Sequence, residues 1–131
     1  MKKRLLVSVV LMVAMLLVSV TAFAASTSFT DWKINPGGST SSRSLTKSQD
    51  YTAPTISITK FTHVADKGNY VTMYIYRGGT KISASRTARG TMSGTFTMTQ
   101  AAYAGDYITL KATSAPDSQN VFYLSGTWNA Y

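Results

Sequence analysis

Residues 70–86 read YVTMYIYRGGTKISASR. In an extended chain Tyr70, Thr72, Tyr74 and Tyr76 share one side, and Val71, Met73 and Ile75 share the other. Gly78-Gly79 suits a two-residue type I′ or II′ turn, because glycine enters positive φ without steric cost. That turn predicts Tyr76 opposite Lys81, Ile75 opposite Ile82, Tyr74 opposite Ser83, and Met73 opposite Ala84. All apolar pairs then fall on one face and all polar or tyrosine pairs on the other. A slip of one residue would undo this agreement, so the hairpin register is strongly specified.

The same period of two recurs along the chain. FTDWKIN (29–35) sets Trp32 and Ile34 against Asp31 and Lys33. PTISITKF (54–61) sets Ile56 and Ile58 against Thr55, Ser57 and Thr59, and GTFTMTQ (94–100) sets Phe96 and Met98 against three threonines. GDYITLKAT (105–113) turns Ile108, Leu110 and Ala112 inward, and NVFYLSGTW (120–128) does so with Phe122, Leu124 and Trp128. Gly, Pro, Asn and Asp punctuate these segments. About seven strands, each with one wet face, predict an all-β antiparallel sandwich, immunoglobulin-like or jelly-roll-like. Between them, PGGSTSSRSLTKSQD (36–50) reads as a polar loop, with a short edge strand through Arg43, Leu45 and Lys47 as the alternative.

The chain opens with Lys2, Lys3 and Arg4, followed by the uncharged apolar run Leu5–Val20. TAFAAS (21–26) then offers Ala22 and Ala24 at the spacing that signal peptidase reads. Residues 1–24 are therefore expected to be a cleavable signal peptide, with 25–131 a single domain secreted through the Sec route. No cysteine follows the run to take a lipid, and no second apolar stretch is long enough to span a membrane. Net charge falls from +8 to about +5 once the three leading cations are removed. A mildly basic exported protein favours anionic surfaces such as teichoic acids, phospholipid head groups or acidic polysaccharide.

Composition narrows the chemistry. With no cysteine there are no disulfides, thiol nucleophiles or thiolate metal sites. The lone histidine, His63, has Asp66 three residues on, yet no G-x-S-x-G elbow accompanies them. Asp31 and Asp106 are a conceivable carboxyl pair for glycoside hydrolysis, but each sits among turn or surface residues. In SAPDSQN (114–120), Asp117 and Asn120, with Asp106 from another turn, offer oxygen ligands for calcium without an EF-hand spacing. The expectation is no enzyme, no cofactor and no bound metal. Arg77, Lys81, Arg86 and Arg89 make the densest basic segment, but no nucleic-acid module surrounds them, and no nucleic acid is expected as a partner.

Surface recognition remains. Tyr70, Tyr74, Tyr76, Tyr107 and Tyr123 fall on wet strand faces, with Tyr51, Tyr103 and Tyr131 elsewhere. Flat rings with a polar tip bury area at low entropic cost. The expected function is a secreted binding module for an envelope or extracellular polymer, or for a protein partner, through Tyr70, Tyr74, Tyr76, Lys81 and Tyr107.

Two short stretches carry resemblances. AAYAGDYITLKA (101–112) looks like the turn and F strand of an immunoglobulin-like sandwich, which implies architecture alone. VFYLSGTWNAY (121–131) loosely resembles the tail of bacteriocins of the lactococcin 972 type, which implies a cationic secreted antibacterial as an alternative function. A further alternative is a self-assembling matrix or coat component, since threonine-rich strands of low charge can stack.

Overall fold

A computed structural model describes residues 26–63 and 69–131; the expected signal peptide and Asp66 lie outside them. Nine strands are found there: β1 Ser26–Ile34, β2 Thr40–Thr46, β3 Thr55–Thr62, β4 Val71–Arg77, β5 Thr80–Lys81, β6 Arg86–Ala88, β7 Met92–Thr95, β8 Tyr107–Ser114 and β9 Phe122–Asn129. They form two antiparallel sheets ordered β1-β9-β3-β7 and β2-β8-β4-β5, with β6 also on β4. Because β5 and β6 both pair with β4, they are two halves of one interrupted strand. Counted so, the order is that of a jelly roll, with the last strand between the first and third. It decides between the two sandwiches expected. The stretch AAYAGDYITLKA runs into β8, between β2 and β4, within this jelly-roll order.

The core is the set of inward residues that alternation marks. Val71, Met73, Ile75, Ile108, Leu110, Ala112, Phe122, Leu124 and Trp128 are all fully buried. Apart from the small Ala112, each of these side chains contributes roughly 1.5–3 kcal/mol by leaving water. Gly126 lies where β9 and β3 approach most closely: a Cβ there would stand 1.9 Å from the Ser57 carbonyl oxygen.

Two bulges flank β9 at Ser125. In β1 the register shifts between Phe29 and Trp32, with Asp31 at φ 47°. The Asp31 N–H donates to Ser125 Oγ at 3.0 Å, and the bulge turns both Phe29 and Trp32 inward. In β3 the register shifts between Ile58 and Lys60, whose ammonium bridges back to Asp31 at 2.9 Å.

Side chains close both open edges of the sandwich. At one edge the Trp32 indole N–H donates to Ser41 Oγ on β2 at 2.7 Å. The Arg43 guanidinium stacks 5.3 Å from the Trp32 ring centroid. At the other edge Arg86 reaches from β6 to the Thr95 carbonyl on β7. The expected polar loop thus contains a true edge strand, β2, whose charged Arg43 points inward and discourages edge-to-edge pairing.

The hairpin follows its expected register at Tyr76–Lys81 and Ile75–Ile82, then departs from it. Residues 82–84 peel away from β4 to meet 97–99, with Ser83 bridging Met98 and the Ala84 N–H bonded to the Thr97 carbonyl. Ser83 is therefore fully buried, not beside the tyrosines, and its hydroxyl accepts the Ile75 N–H at 2.8 Å. The strand resumes two residues later, so Met73 faces Arg86 and not Ala84.

Candidate functional site

The outward residues of the larger sheet form a flat surface of hydroxyls, phenols and ammonium groups. Register places Thr40, Thr113, Thr72 and Thr87 in one row, Ser42, Lys111 and Tyr74 in the next, and Ser44, Thr109, Tyr76 and Lys81 in a third. Cross-strand hydroxyl pairs Thr40–Thr113 and Ser44–Thr109, each at 2.8 Å, stiffen it. None of the outward positions of β2, β4 and β8 is acidic.

Four of these side chains are interlaced. Lys111 faces Tyr74 in register but holds its Nζ over the Tyr76 ring, 4.2 Å from the centroid. Lys81 faces Tyr76 in register but covers Tyr74, at 4.9 Å. Each ammonium thus lies diagonally over the neighbouring ring, held by the negative face of the π system. Neither lysine forms an ion pair among the described residues.

The expected site residues separate into groups. Tyr74, Tyr76 and Lys81 share this surface. Tyr107 stands at its margin opposite Thr46, 64% exposed. Tyr70 precedes β4 and packs under the Arg89 guanidinium at 4.9 Å, so it belongs to a separate pair. Lys111 was missed by sequence reading; its outward position on β8 was legible, but its closeness to Tyr76 depends on β4–β8 pairing.

Asp31, Asp106 and His63, named for the alternative chemistries, are otherwise engaged. Asp31 lies in β1 and Asp106 in the turn before β8, a strand of the other sheet, each with its own cation. Asp106 accepts from the Tyr103 N–H at 2.8 Å and from Arg77 at 3.0 Å. Those bonds hold its carboxyl below the ordinary aspartate value. His63 packs on the rings of Phe61 and Phe122, at 5.9 and 6.2 Å. Among the described residues no cluster of three or more His, Cys, Asp or Glu side chains is placed to hold a metal. The tail resembling a bacteriocin is β9, a central strand that buries Phe122 and Trp128 in the core.

A second group lies at the end of the sandwich where β8 begins. Tyr51, 76% exposed, and Tyr103 meet edge to face with centroids 5.3 Å apart. The Tyr103 phenol, by its charge and a hydrogen bond, pushes the Tyr51 phenol above its ordinary value. Beneath them Lys47 is buried, its ammonium donating to the Thr52 carbonyl and hydroxyl and to the Tyr131 main-chain oxygen. Burial pushes that ammonium below the usual lysine value, against the opposing pull of Asp50 and Asp106.

No protein-family model and no curated protein matches the chain. Two solved structures are similar to it. One is the CBM36-1 domain of a multidomain xylanase from the hindgut metagenome of Trinervitermes trinervoides, with TM-score 0.45 and 8% identity over 83% of this chain and 91% of that one. The other is the carbohydrate-binding module CBM36 in complex with calcium and xylotriose, with TM-score 0.40 and 11% identity over 79% of this chain and 85% of that one.

Proposed function

We propose that this chain is a secreted, non-enzymatic binding module whose larger sheet takes an anionic envelope or extracellular polymer across its outer face. The observation that carries this reading is the crossed pair of lysines over Tyr74 and Tyr76. Rings capped by ammonium groups no longer offer a bare face for neutral stacking. They offer instead two positive charges held over rings two residues apart on β4, surrounded by hydroxyls and free of acids. A polymer with regularly placed phosphates or carboxylates satisfies those charges without unstacking either ring. Such contacts weaken as salt screens them.

The reading is tested by co-sedimenting the purified domain with teichoic-acid-bearing cell wall, with the same wall stripped of its anionic polymer, and with insoluble polygalacturonate. Retention is expected on the anionic materials and to fall as salt rises. The double change Lys81→Ala and Lys111→Ala should weaken it at least tenfold, with Tyr74→Ala and Tyr76→Ala acting in the same direction. Retention indifferent to the lysines, or none on any of the three materials, would overturn the proposal.

A further inference from the structure

The Tyr51–Tyr103 end of the sandwich differs from the sheet face in every feature that selects a ligand. Tyr51 adopts φ 57°, a left-handed backbone that side-chain-bearing residues enter at a cost. The residue so held is a large aromatic with only a quarter of its surface covered. Glycine would occupy the same backbone without that cost, so the ring's presence there is not explained by the turn.

The surrounding loops are firmly tied. The Tyr51 N–H donates to the Ala102 carbonyl at 3.2 Å. The Asp50 carboxylate accepts the Ala104 N–H at 2.7 Å. The Gly105 N–H meets the Lys47 carbonyl, and the Lys47 N–H the Asp106 carbonyl, each at 2.8 Å. These bonds fix the two rings relative to one another before any ligand arrives, which lowers the ordering cost of binding.

Beside the rings lies a cavity of about 200 Å³, lined by Tyr51, Thr52 and residues 98–102. It is smaller than the pockets that hold drug-sized molecules and is sized for a single ring. Its wall combines the apolar Met98, Ala101 and Ala102 with the hydroxyl of Thr99 and the amide of Gln100, while the Thr52 hydroxyl is taken up by Lys47 and Tyr131. Among the described residues no cation covers either tyrosine, in contrast to Tyr74 and Tyr76. The nearby charges are already used, Asp50 by Ala104 and Lys47 by buried oxygens.

We infer that this end of the sandwich is a second binding site, which takes one pyranose ring of an uncharged saccharide. The C–H face of the sugar lies on the Tyr51 ring, and its hydroxyls reach Gln100 and Thr99, which both donate and accept. The site stands independently of the sheet face, because it uses none of the same residues and needs no anionic group.

Titration of the domain with cellohexaose, xylohexaose and chitohexaose, followed by NMR of the backbone and tyrosine rings, tests this. At least one saccharide is expected to shift residues 51–52 and 98–104 and to leave Tyr74 and Tyr76 unmoved. Tyr51→Ala should weaken that binding about tenfold, the worth of one stacked aromatic contact, and Tyr103→Ala, which removes only the ring that braces Tyr51, should weaken it less. Tyr51→Gly removes the ring and suits the left-handed backbone, so it should weaken binding to the same extent as Tyr51→Ala without lowering Tm. The double variant Lys81→Ala and Lys111→Ala should bind the saccharide as the parent does. No shift at these residues with any of the three, or undiminished affinity in Tyr51→Gly, would overturn the inference whatever the outcome on anionic polymers.

Discussion

Lys111 and Tyr76 are not opposite each other in the sheet, yet the lysine Nζ stands 4.2 Å from the centre of the tyrosine ring. The contact is diagonal across β8 and β4, and Lys81 and Tyr74 make the reciprocal one. A double-mutant cycle with Lys111→Ala and Tyr76→Leu should return a coupling of about 0.5–1 kcal/mol in folding stability, as expected of a solvent-facing cation–π pair. Additive single changes would show that the geometry carries no energy.

Gly126 and Gly94 separate steric cost by what stands in the way. A methyl at Gly126 meets main-chain atoms of Ser57, which cannot move without opening β3 from β9. Gly126→Ala should cost about 3 kcal/mol or more in urea denaturation. A methyl at Gly94 meets only the far end of the Arg86 side chain, so Gly94→Ala should cost clearly less.

Lys47 is a buried cation with three oxygen acceptors, two of which, the Thr52 hydroxyl and the Tyr131 main-chain oxygen, also bond each other at 3.0 Å. Lys47→Met keeps the apolar stem and removes the ammonium donor from the Thr52 carbonyl and hydroxyl, leaving the Tyr131 oxygen only the Thr52 hydroxyl. A loss of about 2–3 kcal/mol is expected from the unpaired groups, read as a lower urea midpoint at unchanged m-value.

Asp106 predicts an acid limb. Its carboxyl is held below the ordinary value, first by the Tyr103 N–H and then by Arg77. A depressed folded pKa gives stability that is present above the unfolded value near 3.9 and lost as pH falls through the folded one. The Tm of the parent should therefore drop below about pH 4. Asp106→Asn should lower Tm at neutral pH and flatten that drop, which melting from pH 7 to pH 2 would show.

Much of the strand set was legible because a wet-faced strand writes its burial into the chain at every second residue. Val71, Met73 and Ile75, or Ile108, Leu110 and Ala112, could hardly face any way but inward, and Gly78-Gly79 named its own turn. Alternation fails where the backbone adds a residue. The bulge at Asp31 puts Phe29 and Trp32 on the same face although they are three apart, and the departure after Ile82 buries Ser83. Neither is marked by residue type.

By itself, then, the order of residues determined an antiparallel sandwich, the inward set of most strands and an outer row at Tyr74 and Tyr76, because each follows from contacts between near neighbours in sequence. Tertiary structure alone decided the jelly-roll order, the conversion of the Ser-rich stretch into edge strand β2, the placing of Lys111 over Tyr76, and the meeting of Tyr51 with Tyr103. Those depend on segments far apart in the chain becoming neighbours. Strand pairing and the closing of two sheets over one core choose such neighbours, and no local period records that choice.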